Sequence, residues 1–295
     1  MIPVLQPTEV GAAASEAVRQ IVARELAGAP IASYIEEDPV PWSVLADGGW
    51  DTIGIPEDGG ATLLDLVMMA RAWGEACIPL PLVVSTMAKR WSPAARATSD
   101  PVTVAVGRAG TMADAGRAPF GGEPAVQVAR ALGDHGGAGD DLVTLAAPPV
   151  DDFAPSLRLA EAGWVSTLAR EPRLEFGVVW AAEATGCAER ALALSVEYAK
   201  GREQFGRPIG SFQAVKHRLA DMRMQTEAIE TAVLWAAAEP DQASSAALYA
   251  LDTAALVVES AIQVHGGMGF TWEVGLHFHL RHIVMLRELV YGLWT

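Results

Sequence analysis

A mainly α fold with a small β middle domain is predicted by the way hydrophobic periodicity changes along the chain. Helical spacing of apolar residues dominates both ends, whereas short β-branched segments occupy about residues 99 to 173. Glycine, proline and aspartate bound those segments, as is typical of strands joined by turns. We therefore predict an amino-terminal helical domain at 1–98, a reduced β middle domain at 99–173 and a carboxy-terminal helical bundle at 174–295.

The amino-terminal region has three predicted helices. Residues 8–26 are alanine-rich and weakly amphipathic, and the acidic, proline-containing segment 36–41 interrupts that pattern. A short helix is expected from Trp42 to Gly48. Thr62-Leu-Leu-Asp65 has the pattern of a capping box that opens the third helix, and the prolines in 78–81 end it.

The middle segment is predicted to form one small sheet. Its candidate strands are 102–106, 125–128 and 142–145. The glycine-rich loop at 133–140 resembles a phosphate cradle only in its glycines, because it has two aspartates, no lysine and no following helix cap. We interpret it as a hairpin connection.

The carboxy-terminal region is predicted to be a bundle of three long antiparallel helices with short connections. One apolar stripe recurs at helical spacing and comprises Phe212, Val215, Leu219, Met222, Ile229 and Val233. Pro240-Asp241 breaks the chain, and the third helix is expected to run from Gln242 to Val264. The Gly266-Gly267 pair suits a left-handed helix cap.

Composition restricts the classes of partner. The chain has 295 residues, 51% of them apolar, and its formal net charge is -15 with a sequence pI near 4.8. Because that charge repels phosphate backbones and anionic lipid surfaces, nucleic acid and membranes are poor candidates. No basic-then-apolar leader and no run of about 18 uncharged apolar residues occurs, so the cytoplasm is the expected location.

Two glycine-bearing segments carry the strongest functional signal. They are Tyr198–Gln213, which contains Arg-x-Gln-Phe-Gly-x-Pro-Ile, and Gln263–Phe270, which contains Gly-Gly-x-Gly-Phe. Each is predicted to follow a helix, where unpaired backbone N–H groups would face a phosphate or an adenine edge. Arg202 adds a fork of donors suited to a pyrophosphate. Together they indicate a nucleotide site, although Arg202 could alternatively pair with Glu197 or Glu203 on the surface.

These two segments, with Phe-Gln-x-x-x-His-x-x-Ala-Asp-Met at 212–222, resemble the carboxy-terminal domain of the FAD-dependent acyl-CoA dehydrogenases. Residues 42–60 resemble the family's amino-terminal domain more weakly, and the middle segment does not show the family's larger β domain. The resemblance implies an acyl-CoA dehydrogenase-like fold, an acyl-CoA substrate and FAD shared across a subunit interface. The cofactor-binding residues it implies are Arg202, Gln204, Phe205, Phe212, Gln263, Val264, Gly266 and Gly267.

A catalytic base is missing from the positions where the family places its glutamate. Ungapped counting from the two motifs puts those positions at Gly177 and about Val290, neither of which can accept a proton. Glu175 and Glu288 lie two residues away, a step that rotates a helical side chain by roughly 200°. Glu183 is a further candidate, but it lies deep in an apolar helix. No catalytic residue is therefore assigned.

No metal site is predicted either. The three histidines in 277–282 do not converge on one point when they lie on a helix. The two cysteines, Cys77 and Cys187, lie in apolar surroundings that suit buried thiols in a reducing compartment. The aromatic segment from Trp272 to Phe278 indicates a subunit contact.

Three functional hypotheses follow. In the first, the chain is one subunit of a heteromeric acyl-CoA dehydrogenase whose partner supplies the base, as the resemblance to paired actinobacterial enzymes of lipid or steroid degradation implies. In the second, it is a self-sufficient homo-oligomeric dehydrogenase. In the third, it is a non-catalytic scaffold that stabilises its partner without touching a cofactor.

Overall fold

The computed structural model describes residues 5, 8–26, 28–35, 38–55, 61–107, 116–133, 141–145, 153–239 and 242–294. Within those ranges the protein is mainly α with a small β middle, as predicted. The helices are α1 (Glu9–Leu26), α2 (Trp42–Asp47), α3 (Leu63–Ala76), α4 (Leu82–Trp91), α5 (Pro93–Arg96), α6 (Arg170–Gly201), α7 (Gln213–Ala238), α8 (Ala243–His265) and α9 (Leu276–Trp294).

The carboxy-terminal bundle is larger than predicted. Its apolar stripe on α7 does face inward, and α7 and α8 begin and end close to the expected residues. However, α9 adds a fourth long helix, and α3 from the amino-terminal half also packs against α6. Helix α6 begins at Arg170, about five residues before the expected start. It lies at the centre, in contact with α3, α7, α8 and α9.

The capping box of α3 is present and does more than start that helix. The Thr62 backbone N–H donates to Asp65 Oδ2 at 2.8 Å, and the Asp65 N–H donates to the Thr62 hydroxyl at 3.3 Å. The other carboxylate oxygen, Oδ1, accepts from the Thr8 backbone N–H at 2.8 Å. Asp65 therefore joins the first turn of α3 to the chain that leads into α1.

The middle segment forms two three-stranded sheets instead of the single sheet predicted. The strands are β1 (Val102–Val104), β2 (Val106–Gly107), β3 (Gly116–Ala118), β4 (Gln127–Ala129), β5 (Ala131–Leu132), β6 (Leu142–Val143), β7 (Ala160–Ala162) and β8 (Thr167–Leu168). One sheet has the order β1-β4-β6 and the other β2-β3-β7, while β5 pairs with β8. The chain passes from one sheet to the other at Ala105. The predicted hairpin loop at 134–140 lies outside the described residues.

Close backbone contact between α3 and α6 fixes the centre of the molecule. A Cβ at Gly74 would lie 1.9 Å from the Glu183 carbonyl oxygen, and one at Gly186 would lie 2.0 Å from the Arg71 carbonyl oxygen. Only glycine fits at these two crossing points. The helices therefore approach at backbone distance, and every side chain beside the crossing is brought close to the opposite helix.

One segment, Ala243–Phe270, is long and apolar enough to cross a membrane by length and composition, with a hydropathy of 1.4. The sequence analysis did not single it out, because Asp252 and Glu259 interrupt its apolar run. In the structure 61% of that window is buried, since α8 packs against α6, α7 and α9. We therefore interpret it as a core helix of the bundle.

Candidate functional site

The first motif forms a short β-hairpin at the end of α6. Strands β9 (Glu203–Gln204) and β10 (Arg207–Pro208) pair antiparallel across the two-residue turn Phe205-Gly206. Both turn residues have positive φ, 54° and 76°, which is the pattern of a type I′ turn. This backbone is uncommon for an aromatic residue, and it leaves the Phe205 side chain 93% exposed at the hairpin tip.

Aromatic contacts support the base of this hairpin. The rings of Phe205 and Phe212 meet edge to face with centroids 6.0 Å apart, and the Arg207 guanidinium lies 4.1 Å from the Phe212 ring centroid. The Ile209 N–H donates to the Arg202 carbonyl oxygen at 2.8 Å, which closes the hairpin onto the end of α6. The backbone around Arg202 is therefore fixed while its side chain remains exposed.

Arg202 does not form either of the surface ion pairs considered from the sequence. Glu197 instead accepts from Lys200 at 2.8 Å. Among the described residues, the Arg202 guanidinium has no hydrogen-bond or ion-pair partner. Because the guanidinium has no partner in the described part of the chain, its positive charge is available to an anion.

The second motif forms the turn after α8. The Gly266 N–H donates to the Gln263 carbonyl oxygen, and Gly266 has φ 60° and ψ -135°. The φ value requires glycine, as predicted, but ψ lies outside the left-handed helical region, so the predicted left-handed cap is not formed. A 3₁₀ turn over Gly266–Phe270 follows. Gln263, Gly266 and Gly267 are exposed and Val264 is half-buried.

The structure brings the two motifs to the same end of the bundle. Tyr198, in the last turn of α6, stacks on His265, the last residue of α8, with ring centroids 4.3 Å apart. Neither residue was assigned to the site from the sequence, although both belong to the quoted segments. Large apolar side chains are exposed next to them at the second motif, with Phe270 72% and Trp272 53% exposed. We call this exposed end, comprising residues 198–213 and 263–272, the open end.

The expected source of anion-binding N–H groups needs correction. Gly201 and His265 are the last residues of α6 and α8, and the unpaired backbone groups at a helix carboxyl terminus are carbonyls with partial negative charge. Unpaired N–H groups occur instead in the first turn of α7, which begins at Gln213 directly after the hairpin. A phosphate at the open end would therefore be held by Arg202 and the start of α7 rather than by the ends of α6 and α8.

Glu175, one of the considered bases, is committed to structural contacts near the start of α6. Its carboxylate accepts from Arg90 Nε at 2.7 Å, from Arg90 Nη2 at 3.1 Å and from Trp91 Nε1 at 2.7 Å. Both charged side chains are largely buried. These three donors hold the Glu175 carboxylate in the packing between α4 and the start of α6.

The two positions where the family places its glutamate are filled by packing. A Cβ at Gly177 would lie 2.7 Å from Cζ2 of Trp294, at the end of α9, and Val290 is fully buried. Glu288, two residues from Val290, lies on the exposed side of α9. Among the described residues, neither position presents a carboxylate.

Glu183 faces the interior instead of a cleft. It is 5% exposed, and its Oε1 lies 3.1 Å from His282 Nε2. The opposite ring nitrogen, Nδ1, lies 2.7 Å from the Ser156 hydroxyl. Burial lowers the pKa of His282, but the neighbouring Cys77 and Glu183 side chains outweigh that effect and raise it. Glu183 is therefore paired with a buried histidine, and its described contacts lie in the interior of the protein.

The surroundings of the cysteines differ from the sequence interpretation. Both thiols are buried in the hydrophobic core, as predicted, but a polar side chain that was not expected, His282, lies beside them. Cys77, Cys187 and His282 bring their ligand atoms within 4.8 Å of one another. Of the three histidines in 277–282, only His282 belongs to this group. His279 is buried one turn earlier, and its Nε2 has no hydrogen-bond partner in the described part of the chain.

Comparison with known proteins identifies the family. The family profile for the acyl-CoA dehydrogenase carboxy-terminal domain matches residues 175–289. Acyl-CoA dehydrogenase IpdE2 of Mycobacterium tuberculosis is 32% identical over 295 residues, covering 94% of this chain and 92% of that protein. The chain belongs to the acyl-CoA dehydrogenase family. Acyl-CoA dehydrogenase IpdE2 of Mycolicibacterium smegmatis is also 32% identical, covering 88% of this chain and 86% of its own length.

Solved acyl-CoA dehydrogenases share the fold of this chain. A chain of the ChsE4-ChsE5 complex of Mycobacterium tuberculosis superposes with a TM-score of 0.75 at 22% identity, covering 99% of this chain and 96% of its own. Butyryl-CoA dehydrogenase of Megasphaera elsdenii superposes with a TM-score of 0.71 at 17% identity, covering 97% and 95%. This acyl-CoA dehydrogenase is therefore an oxidoreductase of a flavin-dependent family, and the first motif lies inside the matched domain.

Proposed function

We propose that this acyl-CoA dehydrogenase chain is one subunit of a heteromeric enzyme and contributes the adenine and pyrophosphate side of an FAD site to a partner subunit. The observation that carries the proposal is the contrast within α6. Arg202 caps its end without a partner among the described residues, while Glu175 near its start and Glu183 near its middle are engaged in contacts within the chain.

The open end fits part of a dinucleotide. Arg202 offers bidentate donors for the pyrophosphate, together with the first turn of α7. Around Gly206, Gly266 and Gly267 no atom lies within 4 Å of an added Cβ, so a ligand can approach the backbone there. Gln204, Phe205 and Phe212 would stand on the pyrophosphate and ribose side, and Gln263 and Val264 on the adenine side.

When bound, FAD supplies the hydride acceptor for α,β-dehydrogenation of an acyl-CoA thioester. This chain would position the dinucleotide, and its partner would supply the carboxylate that removes the α-proton. Such a pairing is supported by two structurally similar assemblies, the ChsE4-ChsE5 complex and the Tcur3481-Tcur3483 steroid acyl-CoA dehydrogenase variant. We accordingly propose a partner of the same family, a role in lipid or steroid degradation and a cytoplasmic location.

The three-domain division at 1–98, 99–173 and 174–295 is part of this proposal. The carboxy-terminal unit would contact the cofactor, and the partner subunit would bind the flavin ring in place of the reduced β middle domain. Of the aromatic segment from Trp272 to Phe278, Phe278 is buried, and the exposed Trp272, whose ring meets Phe278 edge to face with centroids 4.9 Å apart, would lie at the subunit contact.

The test is the flavin content of the complex isolated after co-expression with the partner. Arg202→Ala should weaken FAD binding by about tenfold or more, because it removes charge-assisted hydrogen bonds. Arg223→Ala is the matched control, since Arg223 is an exposed arginine of α7 that pairs with Glu227. The control should retain wild-type flavin.

Each competing hypothesis predicts a different result. Unchanged flavin in the Arg202→Ala complex would favour the non-catalytic scaffold. A yellow chain purified alone, with about one flavin per chain and turnover of an acyl-CoA, would favour the self-sufficient homo-oligomer. Either result would overturn the proposed division of roles between subunits.

A further inference from the structure

Two thiols and an imidazole meet in the interior, away from the open end. Cys77 lies directly after α3, Cys187 lies in the middle of α6, and His282 lies on α9. All three are buried, and their ligand atoms lie within 4.8 Å of one another. We call these three residues the cysteine–histidine cluster. The proposed flavin function uses none of them.

Backbone geometry places the two thiols together. The close crossing of α3 and α6 at Gly74 and Gly186 brings Cys187 beside the end of α3, and its thiol donates to the Gly74 carbonyl oxygen at 3.1 Å. Cys77 has φ 51° and ψ 45°, a left-handed conformation that glycine usually adopts after a helix. A cysteine at this position retains a conformational cost, and its thiol is thereby directed towards α6 and α9.

The His282 imidazole is oriented by a hydrogen bond at one ring nitrogen, as imidazoles that bind metals usually are. Ser156 Oγ lies 2.7 Å from His282 Nδ1, so one ring nitrogen is fixed by a hydrogen bond while Nε2 lies on the opposite side of the ring. Glu183 Oε1 is 3.1 Å from that Nε2, and Glu183 precedes Cys187 by one turn of α6. Glu183 is not one of the donors that meet within 4.8 Å, and it borders the cluster on the imidazole side.

We propose that the cysteine–histidine cluster binds one Zn²⁺ ion through Cys77, Cys187 and His282. Thiolate and imidazole are the donors that structural zinc sites use, in tetrahedral geometry. With Zn–S near 2.3 Å and Zn–N near 2.0 Å, the donor atoms of such a site are roughly 3.5 Å apart. The observed separations, which extend up to 4.8 Å, would have to contract to that value on binding. Binding requires both cysteines as thiolates and His282 as a neutral imidazole, so the protons that these three groups hold would be released to solvent.

This assignment departs from the sequence prediction that no metal site exists. Residues far apart in the chain form the cluster, and neither cysteine has a second ligand at the short spacing that marks zinc motifs. The simpler competing description is a buried Glu183–His282 pair beside two cysteines that bind no metal. In that description the cluster has no affinity for a metal.

A cavity lies close to the cluster. Its volume is about 550 Å³, it lies between α1, α3, α6 and the start of α9, and its lining includes Ala76 and His279. Ala76 adjoins Cys77, and His279 lies one turn from His282. The His279 Nε2 has no hydrogen-bond partner among the described residues.

The experiment measures metal on the purified full-length chain, alone and in its complex. We expect about one zinc per chain by mass spectrometry of the metal. Exchange of Zn²⁺ for Co²⁺ should give a thiolate-to-cobalt absorption band. Because the chain contains only two cysteines, such a band in the wild-type protein reports Cys77 or Cys187 directly, without any variant that could fail to fold.

Variants identify the remaining ligand. Cys187→Ser and His282→Gln should each lower the bound metal at least tenfold, whereas His217→Gln, an exposed histidine of α7, should leave it unchanged. Wild-type protein that takes up neither Zn²⁺ nor Co²⁺ would overturn the proposal. Metal bound equally by the Cys187→Ser and His282→Gln variants would also overturn it, because the ion would then lie elsewhere. The flavin content is measured in parallel, so failure of this site is distinguishable from failure of the proposed function.

Discussion

The two ends of helix α6 have opposite characters within one continuous helix of 32 residues. Near its start, Glu175 is paired with Arg90, and Gly177 is covered by Trp294. In its last turn, the exposed Arg202 cap and the stacked Tyr198 mark the open end. The chain thus completes its own packing where a family member would place a base, and leaves exposed the end where a nucleotide would lie.

This difference teaches that similarity to an enzyme family has to be judged region by region. The motif residues lie exposed at the open end, whereas the start of α6 is packed against the rest of the chain. Matched variants on α6 and beside it test this difference.

Gly186→Ala should destabilise the chain by about 3 kcal/mol, because an added Cβ would meet the Arg71 carbonyl oxygen at 2.0 Å and backbone has little room to move. Gly201→Ala in the last turn of the same helix is the control, since no atom lies within 4 Å of its added Cβ. That control should be neutral or gain up to about 1 kcal/mol from helix propensity. Denaturant unfolding measures both, and equal losses would contradict the contrast.

Glu175→Gln should cost about 2 kcal/mol, because it leaves the partly buried Arg90 guanidinium without its ionic partner. Glu197→Gln removes the exposed pair with Lys200 and should change the free energy of unfolding by less than about 0.5 kcal/mol. The pH profile of the assembled enzyme gives a second measurement. A loss of the acidic limb of that profile in Glu175→Gln would show that Glu175 is a base after all, because protonation of a base stops catalysis at low pH.

Gly177→Ala should be destabilising through contact with Trp294, whose ring lies 2.7 Å from the added Cβ. Trp294 is half-buried near the end of the chain, so it can move, and the coupling between the two positions should be only about 1 kcal/mol. A double-mutant cycle with Trp294→Ala measures it by thermal unfolding. Additive effects would show that the ring does not occupy the position.

The smallest expected effect concerns pH at the open end. Burial lowers the pKa of His265 below its ordinary value of 6.5, so the unfolded chain binds this proton more readily than the folded chain. Stability from the neutral ring is therefore present above about pH 6.5 and declines as the pH falls below that value. His265→Gln should flatten this decline, and His217→Gln should not. Unfolding midpoints measured between pH 5 and 8 provide the comparison.

Local signals in the sequence predicted much of the fold. The Thr62–Asp65 capping box, the inward stripe of α7 and the break after Ala238 depend on residues within a few turns of one another, so periodicity and capping chemistry were sufficient. The same holds for the positive φ of Gly266. The two sheets of the middle region were predicted as one. Strand pairing joins residues far apart in the sequence, and the residues of a short strand do not indicate which strand it pairs with.

The sequence was less informative about which backbone and side-chain groups face the site. Both motifs were expected to offer N–H groups, yet they follow helix carboxyl ends and the donors come from the next helix. The contact between Gly177 and Trp294 and the convergence of Cys77, Cys187 and His282 were also absent from the prediction. Each depends on how α3, α6 and α9 cross.

The sequence by itself determined the family, the helical character of both ends and the identity of the residues in the two glycine turns, because each rests on a local pattern of side chains. Only the tertiary structure decided which carboxylates pair with other side chains, which end of α6 stays exposed and which distant thiols become neighbours. Those outcomes depend on backbone approach between helices, as at Gly74 and Gly186, where the space available for one Cβ sets the position of every group around it.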